Sequence, residues 1–146
     1  MLPEMNARRS LGRAASLRPG AGPGRGQPLP PPLLRLATKV FGKDFSDVRL
    51  YVGPQPGRMG ALAFTLGSQI HIAPEEHRPF TQRWLQLLGH ELTHVVQQRE
   101  GRARNPHGRG VVVLRDPGLE AEADRMGDAF AAAASRMADA LGRAAE

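Results

Sequence analysis

The chain has 146 residues, no cysteine and a net charge of +6. One domain with a real core fits that length, disulfides and cysteine-based zinc sites are excluded, and no stretch approaches the roughly 20 apolar residues that span a bilayer. The charge could suggest nucleic acid, but five arginines against one glutamate sit in residues 1–29, while residues 30–146 carry 15 basic and 13 acidic side chains. With one Tyr and one Trp there are few rings for base stacking, so nucleic acid is not an expected partner.

Residues 1–29 are rich in Arg, Gly and Pro and bury too little apolar surface to offset their ordering entropy. They are expected to form a flexible tail ahead of a folded domain over 30–146. Arg8-Arg9 is followed by no continuous apolar run, so no cleavable leader is read. Together with the absence of cysteine, this gives a cytoplasmic location at synthesis as the expectation.

Pro30-Pro31-Pro32 can supply the first residue of a helix, in which Leu33, Leu34, Leu36, Ala37 and Val40 recur at helical spacing before Gly42 ends it. Val48–Val52 alternates and reads as a strand stopped by Gly53-Pro54. Arg58–Ala61 suggests a helical turn. Ala63–Leu66 and Gln69–Ala73, joined by Gly67-Ser68, predict a hairpin with a type II′ turn. Phe80, Trp84, Leu88, Leu92 and Val95/Val96 then predict a half-buried helix of about 18–20 residues.

An Arg-rich loop over 101–110 and a short strand at Val111–Leu114 follow. Asp116-Pro117 reads as an N-cap with proline at the next position. The stripe Leu119, Ala123, Met126, Phe130, Ala133/Ala134, Met137 and Leu141 predicts a second long helix. The expected fold class is α+β, with a small antiparallel sheet packed on two long helices.

The chemistry concentrates in His90-Glu91-Leu92-Thr93-His94, an H-E-x-x-H inside the first long helix. Residues four apart share a helix face, so both imidazoles can address one ion, while Glu91 sits about 100° away, where it can serve as a base without ligating. A catalytic zinc takes three protein ligands and keeps one position open. Glu120 is the expected third ligand. Asp124, four residues on, can accept a hydrogen bond from the second ring nitrogen of a ligating histidine. Glu122 is the alternative ligand but lacks a partner aspartate at that spacing. Chance alone would give H-E-x-x-H in a chain this long on the order of once in a few hundred cases. His71, His77, His107 and Tyr51 are candidate oxyanion stabilisers, each with an ordinary packing role as the competing reading. The hairpin could bind a peptide by edge pairing.

The run His90–Gln98 (HELTHVVQQ) resembles the signature of the bacterial eCIS core domain family, associated with extracellular contractile injection systems. So do Leu33–Phe41 with Asp44–Leu50, Ala63–Gly67, and Leu119–Arg125, giving a resemblance over about residues 29–130. His71 departs from it, where an apolar or aromatic strand residue would be expected, and so does the short Arg-rich connection from Gln98 to Asp116.

The family is similar to the gluzincins, in which H-E-x-x-H is followed by a helical Glu-x-x-x-Asp. The resemblance implies a zincin-like fold and a zinc metallopeptidase with His90, His94 and Glu120 as ligands, Glu91 as base and Asp124 beside a ligand. It also implies a protein or peptide substrate, injection-system components or cargo as partners, and export through such a system. The competing expectation is a zinc-stabilised, non-catalytic adaptor of an injection apparatus. A third reading, a DNA- or membrane-associated basic protein, rests on the tail alone.

Overall fold

The computed structural model describes residues 26–102 and 116–145. The expected strand at Val111–Leu114, His107 and residues 1–25 lie outside them. In chain order the elements are β1 (Gln27–Pro28), α1 (Pro31–Phe41), β2 (Arg49–Val52), a one-turn α2 (Gln55–Arg58), β3 (Ala63–Leu66), β4 (Gln69–Ile72), a 3-10 turn (Pro74–Glu76), α3 (Gln82–Arg99) and α4 (Pro117–Ala145). Among the described residues no helix is long and apolar enough to cross a membrane.

The α+β class holds, but the sheet is mixed rather than antiparallel. Its order is β1-β2-β4-β3, with β2 and β4 parallel and the other two pairs antiparallel. The chain leaves β2 through α2 and enters the sheet at the far edge as β3. The hairpin then folds β4 back into the gap beside β2, so the two run the same way. Gly67 takes φ 61° and Ser68 no positive φ, as a type II′ turn requires. The sheet also begins earlier than the tail boundary expected at residue 29. Gln27 and Pro28 pair with Leu50 and Arg49, and Leu29 is buried. Proline is tolerated there because β1 is an edge strand.

Two other expectations shift. The helical turn falls at Gln55–Arg58, just before the predicted position. Phe80 does not open α3. It is exposed at φ 69°, and Thr81 caps the helix by accepting from the Trp84 N–H. The side chains of α3 are buried nearly all round through its middle, from Trp84 to Val95, rather than on one face. The helix lies between β3 and α4, and α1 packs on α4 in turn.

The core joins Leu33, Leu36 and Ala37 of α1, Leu50, Ile70 and Ile72 of the sheet, Leu88, Leu92 and Val95 of α3, and Phe130 of α4. The stripe on α4 ends sooner than its periodicity suggests, because Leu141 is 62% exposed. At the α3–α4 crossing two glycines meet. A Cβ on Gly89 would stand 2.9 Å from the Gly127 Cα, and one on Gly127 only 2.6 Å from the Gln86 carbonyl oxygen.

The last turn of α3 also reaches the sheet. Gln98 Nε2 donates to the Thr65 carbonyl at 3.1 Å, and Gln98 Oε1 accepts from the Gly67 N–H at 2.7 Å. One side-chain amide thus occupies part of the free edge of β3.

On the sheet face away from α3, His71 is stacked between Tyr51 and Phe64, with centroids 4.7 and 4.6 Å apart. The three residues are register neighbours on β2, β4 and β3. Burial pushes the His71 pKa down to about 4.

Two predictions follow from these contacts. Gly127→Ala drives a methyl into helix backbone that cannot swing aside, a clash that outweighs the roughly 1 kcal/mol of helix propensity alanine returns. A net loss of about 2 kcal/mol is expected, read as a Tm lower by several degrees, whereas Gly142→Ala, with nothing within 4 Å, should be neutral or stabilising. His71 is held neutral in the fold but takes a proton near its ordinary pKa of 6.5 once unfolded. Its contribution is therefore complete above pH 6.5 and is lost progressively as pH falls toward about 4, up to about 3 kcal/mol. Denaturant melts of His71→Phe should lack that part of the acid sensitivity; an unchanged pH profile would contradict the assignment.

Candidate metal centre

His90 and His94 lie one helical turn apart on α3, and both point into the seam with α4. Asp116 caps the start of α4, its Oδ1 accepting from the N–H groups of Gly118 and Leu119 at 2.8 and 3.1 Å. This matches the expected cap and fixes the first turn, which carries Glu120.

Across the seam the two imidazole Nε2 atoms are 3.2 Å apart. Glu120 Oε1 is 3.4 Å from His90 Nε2, and Glu120 Oε2 is 3.5 Å from His94 Nε2. Among the described residues these three form a group able to hold a metal ion, with ligand atoms within 4.8 Å of one another. A tetrahedral zinc with bonds of about 2.0–2.1 Å needs ligand atoms about 3.3–3.4 Å apart. The two imidazole nitrogens fall close to that edge length, Glu120 meets each of them through a different carboxylate oxygen, and the donor set of two imidazoles and one carboxylate suits the same ion.

Glu122, the alternative ligand, points elsewhere. It accepts from Gln97 Nε2 at 2.9 Å and pairs with Arg102 at 2.8 Å. These contacts, the Gln97 hydrogen bond foremost, hold its carboxyl below the usual range.

Asp124 Oδ1 is 3.0 Å from His90 Nδ1, on the ring edge opposite Glu120. Burial pushes the Asp124 carboxyl up, opposed by the charge and hydrogen bond of His90. His90 itself is fully buried. Burial acts to lower its pKa, but the hydrogen bond it donates to Glu120 and the charges of Glu91, Glu120 and Asp124 prevail, and the net direction is upward. His94 is driven the other way, by burial first and by its neighbour His90.

Glu91 is fully buried, and its charge acts on both histidines. Thr65 of β3 reaches it, with Oγ1 2.9 Å from Glu91 Oε1 and 3.1 Å from the Glu91 backbone carbonyl. Glu91 Oε2 has no hydrogen-bond partner among the described residues. The carboxylate is thus pinned at one oxygen, while the other is buried without a partner among the described residues.

The candidate oxyanion groups are placed otherwise. Tyr51 and His71 stack on the far face of the sheet. His77 accepts from Trp84 Nε1 at 3.3 Å before α3 begins. Two residues near the site had drawn no attention in the sequence. Thr65 is an unremarkable strand threonine, and Gln97, fully buried, lies 2.7 Å through Oε1 from His94 Nδ1. Gln97 falls within the His90–Gln98 run, and its position three residues beyond His94 on a helix is the signal that marks it.

A family model described as the eCIS core domain matches residues 28–102. The match runs from β1 through the H-E-x-x-H helix and stops short of α4, which carries Glu120 and Asp124. No curated protein and no solved structure matches the chain. The family match spans just over half of the 146 residues, and on that ground the chain belongs to the eCIS core domain family.

Proposed function

We propose that this chain is a zinc-dependent endopeptidase of the gluzincin type, with His90, His94 and Glu120 as ligands and Glu91 as the base. The observation that carries the reading is the convergence of two imidazole nitrogens and a carboxylate in a buried seam, close enough together to share one ion. Zinc held there would supply Lewis acidity, activating a water and polarising a substrate carbonyl.

The remaining work falls to the protein. Asp124 orients His90. Thr65 holds Glu91 Oε1 and leaves Oε2 to take the proton of the attacking water and return it to the leaving amine. Because Thr65 lies on β3, the same strand that a peptide would meet also sets the angle of the base.

Family membership associates the chain with contractile injection systems. On the proposed reading, the substrate is a protein or peptide carried by such a system, cargo or toxin among them.

One observation favours a second reading, a zinc-stabilised adaptor without catalysis. Gln98 covers the Thr65 carbonyl and the Gly67 N–H, which narrows the strand edge available to a substrate. The two readings part at Glu91. In the zinc-loaded full chain, Glu91→Gln should keep its metal and lose hydrolysis of unfolded protein substrates by about 10²–10⁴-fold. Cleavage equal to wild type would contradict the assigned base. An adaptor would show no metal-dependent cleavage in either form, with partner binding unaffected by the substitution.

A further inference from the structure

Gln97 is fully buried at the last turn of α3, among groups that dictate which way its amide faces. On one side stand two acceptors, the Leu119 carbonyl oxygen at 3.0 Å and Glu122 Oε1 at 2.9 Å. Neither can donate, so the amide nitrogen must face them, and its two hydrogens match the two acceptors. That leaves Oε1 toward His94 Nδ1 at 2.7 Å. A carbonyl oxygen only accepts, so Nδ1 must carry the hydrogen and Nε2 must present its lone pair. Nε2 is the atom that faces His90 and Glu120.

The same amide grips the start of α4. Leu119 immediately precedes Glu120, so the hydrogen bond to its carbonyl ties the backbone delivering the third ligand to the helix bearing the first two. Arg102 backs the arrangement by holding Glu122 at 2.8 Å.

We propose that Gln97 is the positioning residue of the metal centre, presetting the tautomer of His94 and the approach of Glu120 for a divalent cation through a single side-chain amide. The proposal rests on the metal-site reading above and extends it to a residue outside the H-E-x-x-H and Glu-x-x-x-Asp motifs. Asp124 orients His90 from α4; Gln97 does so for His94 from within α3, by hydrogen bonding that has to be satisfied whether or not an ion is bound.

The test uses the full chain and two readouts. Long-range ¹H–¹⁵N spectra of the metal-free protein, taken at a pH of about 8 where an ordinary imidazole is neutral, report which His94 nitrogen carries hydrogen. Competition with a chromophoric chelator reports zinc affinity. Wild type should show His94 as the single Nδ1–H tautomer. Gln97→Leu should give mixed tautomers and bind zinc about 10–100-fold more weakly. Gln97→Glu, which keeps an acceptor for His94 but loses the donors to Leu119 and Glu122, should keep the tautomer and recover only part of the affinity. A purely structural role for Gln97 would lower Tm without changing the tautomer.

An Nε2–H tautomer in metal-free wild type would overturn the proposal without any variant having to fold. So would Gln97→Leu with tautomer and zinc affinity both unchanged. Failure of wild type to bind zinc would instead strike the metal-site reading, leaving the tautomer measurement to report on Gln97 separately.

Discussion

The close approach of α3 and α4 at Gly89 and Gly127 is the constraint on which the rest of the structure depends. With no side chain on either residue, the helix backbones approach to within contact distance, and the Gly127 position sits directly against the backbone of Gln86 and His90. Glu120 and Asp124 precede Gly127 by seven and three residues, so all three share one face of α4. The glycine contact and the candidate metal ligands therefore lie along the same seam. Bulk at the crossing would lift Glu120 and Asp124 away from the histidines together.

A seam that tight makes its polar contents costly to leave unpaired. His90 and Glu91 are fully buried, and Glu120 is nearly so. Each has an assigned neighbour: Asp124 behind His90, Thr65 on Glu91 and the two histidines on Glu120, with Gln97 behind His94. From Gln97 the chain of contacts runs outward through Glu122 to Arg102 and Glu100 at the surface. Buried ionisable groups are thus linked to solvent through side chains rather than abandoned in the core. What the outward partners leave facing one another is two ring nitrogens and a carboxylate, a group able to hold a metal ion.

Much of this was legible because it repeats locally. H-E-x-x-H and Glu-x-x-x-Asp declare shared helix faces by spacing alone, and the preference for Glu120 over Glu122 followed from the aspartate four residues on. Gly42, Gly67 and Asp116 marked a helix end, a hairpin and a helix start, all of which the structure contains. What escaped was non-local or side-chain-specific. The parallel pairing of β2 with β4 depends on which edge the chain reaches after α2, and strand composition carries no such information. Gln27-Pro28 reads as tail because two residues have no periodicity, yet they pair with β2. Phe80 fits the spacing of α3, but the cap at Thr81 excludes it from the helix. Gln97 and Thr65 matter through single hydrogen bonds to residues brought near by the fold, and the glycine at 127 interrupts an apolar stripe rather than announcing itself.

The central claim is that the α3–α4 seam assembles a zinc site from His90, His94 and Glu120. It is tested most directly by the zinc content of purified wild type beside Glu120→Ala and Glu122→Ala, each dialysed against the same limiting zinc. The account predicts about one zinc per chain in wild type, largely retained in Glu122→Ala and lost or strongly weakened in Glu120→Ala. A wild type that stays metal-free when zinc is supplied, or a loss confined to Glu122→Ala, would contradict it.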